Sequence, residues 1–162
     1  MKNNQEVQTI VSALSMQAHP EGGYYSEAYR SPVEIPGKER QLMTSIYFLL
    51  TSDNVSNFHR IKSDELWFHH AGSPITVHIL NQDKGHIKIN VGSDVLNGEH
   101  PQALVKGGEI FGSSVDTENS YALVSCVVAP GFDFQDFELF NRAELIEQFP
   151  NHEEIITRLT AQ

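Results

Sequence analysis

The chain has 162 residues, a hydrophobic fraction of 40% and a formal charge of −10 at pH 7. That length reads as one domain, residues 1–162, able to bury about 70% of its unfolded surface without staples. The acidic balance and the lack of any basic run exclude a nucleic-acid backbone as partner, and no apolar run is long enough to cross a membrane.

Met1–Glu6 leads into no long apolar core, so no signal peptide is expected. Val7, Ile10, Val11 and Leu14 fall at helical spacing and predict a helix over Asn4–Met16. His19-Pro20-Glu21-Gly22-Gly23 breaks it and reads as a turn only. Tyr24–Arg30 reads as a strand with aromatic residues on both faces, suited to a dimer interface if it lies at a sheet edge. Ser45–Leu50 is apolar on both faces. Phe58–Gly72 reads as a hairpin, with His59 and Ile61 on one face before its turn and Glu65, Trp67 and His69 on one face after it.

Pro74–Leu80 and the cleanly alternating His86–Val91 predict a second hairpin. Ala103–Val105 and Glu109–Ser114 are short strands around Lys106-Gly107-Gly108, and Tyr121–Ala129 is a buried strand. Cys126, the only cysteine, lies inside it. It cannot form an intramolecular disulfide, which fits a cytoplasmic address. Phe132–Leu139 alternates, but its apolar parity slips near Gln135, predicting a bulge or bend. Asp133, Asp136 and Glu138 read as solvated edge charge. Arg142–Phe149 and His152–Leu159 predict C-terminal helices, the second capped by Asn151. Short strands between glycine, proline and asparagine turns, flanked by terminal helices, predict an all-β sandwich or barrel.

The Phe58–Gly72 stretch and the later glycine turn resemble the two signature motifs of the cupin superfamily. The first motif is His-x-His, three residues, Glu, six residues, Gly. His59, Glu65 and Gly72 fit it, with Ile61 at the second histidine. The second is Pro-x-Gly, two residues, His. Lys106, Gly108 and Phe111 occupy its positions. His19–Tyr25, Tyr29-Arg30-Ser31, Ile46–Leu50, His59-Arg60, Ser63–Trp67 and Pro130–Phe134 resemble a small family of single-domain cupins whose biochemical role is unsettled. The resemblance implies a double-stranded β-helix, or cupin jelly roll, with short terminal helices, and a homodimer.

Cupins that hold a metal use the histidines and glutamate that this chain keeps only as His59 and Glu65. Ile61 and Phe111 stand at the other two positions, and His69 and His78 are distant substitutes. No metal and no cofactor is therefore expected. The first expectation for function is a barrel that binds a small sugar-like or polar metabolite. His59, Glu65 and Glu109 would supply polar groups, Trp67 and Phe111 flat apolar walls, and His69 and Tyr47 further lining. The alternative implied by resemblance is a metal-independent sugar isomerase or epimerase, with His59 as general base, Glu65 orienting it, and Tyr47 or Tyr121 as acid.

Overall fold

The computed structural model describes residues 2–161, with side chains from residue 4 onward. In chain order the elements are α1 (Lys2–Ala13), β1 (Gln17–Ala18), β2 (Tyr24–Arg30), β3 (Thr44–Thr51), β4 (Val55–Arg60), β5 (Asp64–Gly72) and β6 (Ile75–Asn81). There follow β7 (Gly85–Val91), β8 (Gln102–Val105), β9 (Ile110–Ser114), β10 (Tyr121–Ala129), β11 (Glu138–Leu139), α2 (Arg142–Gln148) and α3 (Glu153–Arg158). The strands form two antiparallel sheets, ordered β1-β2-β3-β10-β5-β8 and β11-β4-β9-β6-β7. This is the double-stranded β-helix that the resemblance implies.

Strand parity explains the layers. Phe48 and Leu50 of β3, with Val124, Cys126 and Val128 of β10, point between the sheets and meet Ile75, Val77, Ile79 and Phe111 from the other side. Leu49 of β3 points outward, where Val7, Ile10, Val11 and Leu14 of α1 cover it. The outer side of the second sheet is closed by the C-terminal helices, through Leu145, Phe149, Ile156 and Leu159 on Phe58 and Ile110. Both faces of each sheet are thus partly buried, which is why β3 and β10 read as nearly continuous apolar runs.

The stretch from β4 to β5 is a corner, not a hairpin. β4 pairs with β9 and β11, whereas β5 pairs with β10 and β8. The turn at Ile61–Ser63 carries the chain from one sheet to the other. His59 and Glu65 therefore approach the interior from opposite layers. The β6–β7 hairpin is as read, with Asn81 opposite Gly85. The parity slip near Gln135 is a 3-10 turn over Phe134–Asp136. The nearby acids are paired, not merely solvated: Arg40 lies 3.4 Å from Asp133 and 2.9 Å from Asp136, and Arg60 lies 2.7 Å from Glu138.

The helix caps differ from expectation. Asn151 caps nothing, because Pro150 starts a 3-10 turn over Pro150–His152 and α3 begins after it. The cap belongs to Asn141, whose side chain accepts from the Glu144 N–H at 2.9 Å while Glu144 accepts from the Asn141 N–H. Asn141→Ala removes this reciprocal capping box and is expected to lower stability by about 1 kcal/mol in urea unfolding. An unchanged midpoint would show that α2 is held by Leu145 packing alone.

Candidate functional site

The floor of the site is assembled by a turn that leaves one sheet and docks on the other. After β1 the backbone folds back, with His19 N–H on Gly23 O and Gly22 N–H on His19 O. The Glu21 carbonyl accepts from the Asn57 N–H of β4 at 2.7 Å. Gly22 has φ +114°, and a Cβ there would stand 1.9 Å from the Val55 carbonyl oxygen. Only glycine permits both the conformation and the approach. The docking drives the Glu21 side chain inward onto His59.

Glu21 Oε2 stands 2.9 Å from His59 Nε2, and it has no aligned hydrogen-bond donor. The contact is therefore one of charge more than of a linear hydrogen bond. On its other side, His59 Nδ1 is 2.7 Å from the Asn57 carbonyl oxygen. A carbonyl only accepts, so Nδ1 carries a proton. Two bare acceptors would repel at 2.9 Å, so a further proton belongs to the His59–Glu21 pair. Burial pushes the His59 pKa down, but Glu21, the Asn57 carbonyl and Glu65 outweigh it and the net direction is up. Burial pushes Glu21 up, yet His59 and His19 bring it below its ordinary value. The pair is an imidazolium and a carboxylate.

The His59 ring is clamped by aromatics. Its centroid lies 4.2 Å from that of Phe111 and 5.3 Å from that of Phe137, nearly parallel to the latter. His19 accepts from the Glu21 N–H at Nδ1, 3.1 Å away, and burial holds its pKa below the ordinary histidine value. A neutral imidazole thus neighbours a charged one.

Glu65 of β5 is the group without compensation. It is buried, and its Oε2 has no hydrogen-bond partner. The Trp67 indole N–H is close enough to favour the charged form slightly, but it too lacks a hydrogen-bonded partner, so its orientation satisfies neither group. Burial, opposed by His59 and reinforced by Glu21, pushes the carboxyl up to about 7. Such a group exchanges protons readily near neutrality. Cys126 faces the same space, but burial and the two carboxylates raise its thiol well above the ordinary value, which makes it a poor nucleophile.

These groups line a cavity of about 420 Å³. Ile46, Ile61, Cys126 and Val128 form its apolar wall; Tyr25, Phe132, Phe134 and Phe137 form its aromatic wall; Gln17, Glu27, Arg30 and Asp133 add polar groups. Arg30 is held by Glu27 at 2.6 Å and by Gln41 at 3.1 Å.

The family model described as "Cupin superfamily (DUF985)" matches residues 8–140. The chain belongs to the cupin superfamily. Among curated proteins this cupin is similar to the uncharacterized protein YML079W of Saccharomyces cerevisiae, 33% identical over 149 residues that cover 80% of this chain and 73% of the yeast protein. Among solved structures it resembles a hypothetical protein from Leishmania major (40% identity, TM-score 0.89, 96% of this chain and 98% of that one). It also resembles protein SO0799 from Shewanella oneidensis (39% identity, TM-score 0.90, 95% and 96%). A Bacillus subtilis oxalate decarboxylase is alike in fold alone, at 18% identity and TM-score 0.57, with the match spanning 38% of that longer chain.

A metal of the kind many cupins hold does not fit these residues. Ile61 and Phe111 replace two donors. His59 Nδ1 is engaged by a carbonyl and Nε2 faces Glu21. Among the described residues, no group of three or more His, Cys, Asp or Glu side chains is arranged to hold a metal ion.

Of the residues proposed from sequence, the structure brings only His59 and Glu65 to the cavity. Trp67 sits in the core, edge-on to Phe48 and Phe111, and does not line the cavity. Phe111 is buried behind the His59 ring, a backing wall without a face to the space. Glu109 clamps its own turn, accepting from the Lys106 N–H at 3.0 Å. His69 bonds the Ser73 carbonyl at 3.0 Å, further along β5. Tyr47 lies on the outward parity of β3 beside α1. Tyr121 bonds Glu6 of that helix at 2.8 Å. His78 is in the opposite sheet, between His86 and Ser114, and burial with His86 pushes it down to about 4.

Sequence reading missed His19, Glu21 and the phenylalanines of the Phe132–Phe137 loop. The available signal was chemical. A turn that needs only its glycines has no use for an acid and an imidazole, yet His19 and Glu21 sit within it.

Proposed function

We propose that this cupin binds a small polar or sugar-like metabolite in the cavity over Glu21, His59 and Glu65. The observation that carries the reading is the buried carboxylate oxygen Glu65 Oε2, left without a hydrogen-bond partner in a cavity of mixed polar and apolar lining, beside a Glu21 already matched by His59. Buried polar atoms are costly unless partnered, and a ligand bearing donors supplies the missing partners. A phosphorylated or nucleotide-linked ligand is disfavoured. Arg30, the one arginine lining the cavity among the described residues, is already held by Glu27 and Gln41. The buried thiol of Cys126 suits a reducing compartment, and cytoplasmic location and a homodimer belong to the same proposal.

The test is a ligand-observed NMR screen of small polar compounds, repeated on Ile46→Phe. That substitution places a ring in the cavity wall while keeping β3 apolar. Compounds that bind the native protein should lose binding to the variant. A screen without hits, or hits indifferent to Ile46→Phe, would remove the cavity from consideration.

One observation favours a second reading, proton-transfer isomerisation or epimerisation beside a carbonyl. Glu65 titrates near neutrality next to an imidazolium. His59, protonated in its pair with Glu21, has no free lone pair and is badly suited to be the base. Glu65 as carboxylate would take the carbon-bound proton, and the positive charge of His59, whose N–H groups stay with the Asn57 carbonyl and Glu21, would favour the enolate electrostatically. The expected result is deuterium uptake from heavy water next to the carbonyl of a keto-sugar, abolished by Glu65→Gln. Uptake that survives Glu65→Gln would reject this assignment.

A further inference from the structure

We infer that the ligand of this cavity carries an organic ammonium group, seated against Glu65 and bounded by the Phe132, Phe134 and Phe137 rings. The inference rests on the binding reading above and names its ligand class. Charge pairing around the cavity comes first. Glu21 is matched by His59 at 2.9 Å, Glu27 by Arg30 at 2.6 Å and Asp133 by Arg40 at 3.4 Å. Glu65 has no cation within salt-bridge distance among the described residues; the His59 charge that acts on it is already matched by Glu21, and its Oε2 has no hydrogen-bond partner. An entering ammonium supplies both the charge and the hydrogens.

The walls agree with this assignment. Phe132, Phe134 and Phe137 pack edge to face, with centroids 4.9 to 6.5 Å apart, and all three line the cavity. Phe134 is half exposed, so the cluster extends from the interior toward solvent. Phe137 already stacks on the His59 ring at 5.3 Å, so the quadrupoles of Phe132 and Phe134 are the ones left to attract an ammonium, with Glu65 of the same cavity to neutralise it. An anionic ligand would meet Glu65 instead, with His59 already matched by Glu21 and Arg30 doubly engaged. The net charge of −10 also raises the local concentration of cations at the surface.

Burial and Glu21 hold the Glu65 carboxyl up to about 7 against the opposing pull of His59. A cation beside Glu65 favours its ionised form, so binding at neutral pH releases a proton from the fraction of molecules in which Glu65 is protonated. A neutral ligand brings no such charge and drives no such release.

The test uses three probes of matched shape: cyclohexylmethylamine, cyclohexylmethanol and cyclohexanecarboxylate. Each is titrated calorimetrically into the full chain at neutral pH, in two buffers of different ionisation enthalpy. The amine should bind tighter than the alcohol by about tenfold or more, and the carboxylate weakest. Proton release should accompany the amine alone. Glu65→Gln should abolish both the amine's preference and the release. The native ranking stands without the variant should that substitution prevent folding. A ranking led by the alcohol or the carboxylate overturns the ammonium assignment while leaving small-molecule binding intact. Retained amine preference in folded Glu65→Gln also overturns it. Absence of binding by all three, up to their solubility, removes the binding reading as well.

Discussion

Glu21→Ala is expected to destabilise the protein by about 3–5 kcal/mol in urea unfolding at neutral pH, because it leaves one partner of a buried ion pair uncompensated. Glu21 has a lowered folded pKa, so its contribution is present above the ordinary carboxylate range and is lost as pH falls through the folded value. His59 has a raised folded pKa, so its contribution is full below 6.5 and is lost as pH rises through the folded value. The pair stabilises between those limits. In Glu21→Ala the alkaline loss due to His59 should disappear, since burial then favours the neutral imidazole. Replacing both members by leucine should cost less than the sum of the single changes, because no orphaned charge remains. A single-variant cost below about 1 kcal/mol, the range of a surface pair, with an unaltered alkaline limb, would mean that the two groups do not form the pair.

How far the architecture could be read from sequence depends on what each element reports. Tyr121–Ala129 has the same bounds in the strand reading and the structure, because a run apolar on both faces bounded by turn residues reports local conformation directly. Clean alternation over His86–Val91 likewise marked β7 and its hairpin with β6. The Phe58–Gly72 stretch shows the limit. Its two strands and intervening turn were legible, but their pairing was not. Adjacent strands joined by a short turn look alike whether they form a hairpin or cross between sheets. Trp67 shares the inward parity of Glu65 but packs in the core against Phe48 and Phe111, and His69 lies further along β5 on the Ser73 carbonyl, so neither lines the cavity. His59 and Glu65 were legible because a histidine and an acid at cupin motif positions are costly to bury without purpose. Glu21 was not, because its role depends on a turn docking on a strand more than thirty positions away. Gly22 against the Val55 carbonyl creates that contact, and no local periodicity encodes it.

Glu65→Gln is expected to do the opposite of Glu21→Ala and stabilise the protein at alkaline pH. The Glu65 carboxyl is raised from 4.5 to about 7 in the fold. Below about pH 4.5 it is protonated in both folded and unfolded chains and contributes no pH dependence. Between 4.5 and 7 the unfolded chain gives up its proton while the fold retains it, so stability falls by about 1.4 kcal/mol per pH unit. Above that window an ionised, unpartnered Glu65 costs about 3 kcal/mol. Glutamine keeps the shape and removes the charge, so the variant should exceed the native protein by up to about that amount at alkaline pH and match it at acid pH. A carboxylate kept for structure would be bonded on all sides, and its neutralisation would weaken the fold. Destabilisation of Glu65→Gln at alkaline pH, or a difference independent of pH, would therefore identify Glu65 as a structural group. Stabilisation confined to the alkaline side identifies a buried acid that the fold tolerates at a cost, which is the signature of a site built for an occupant.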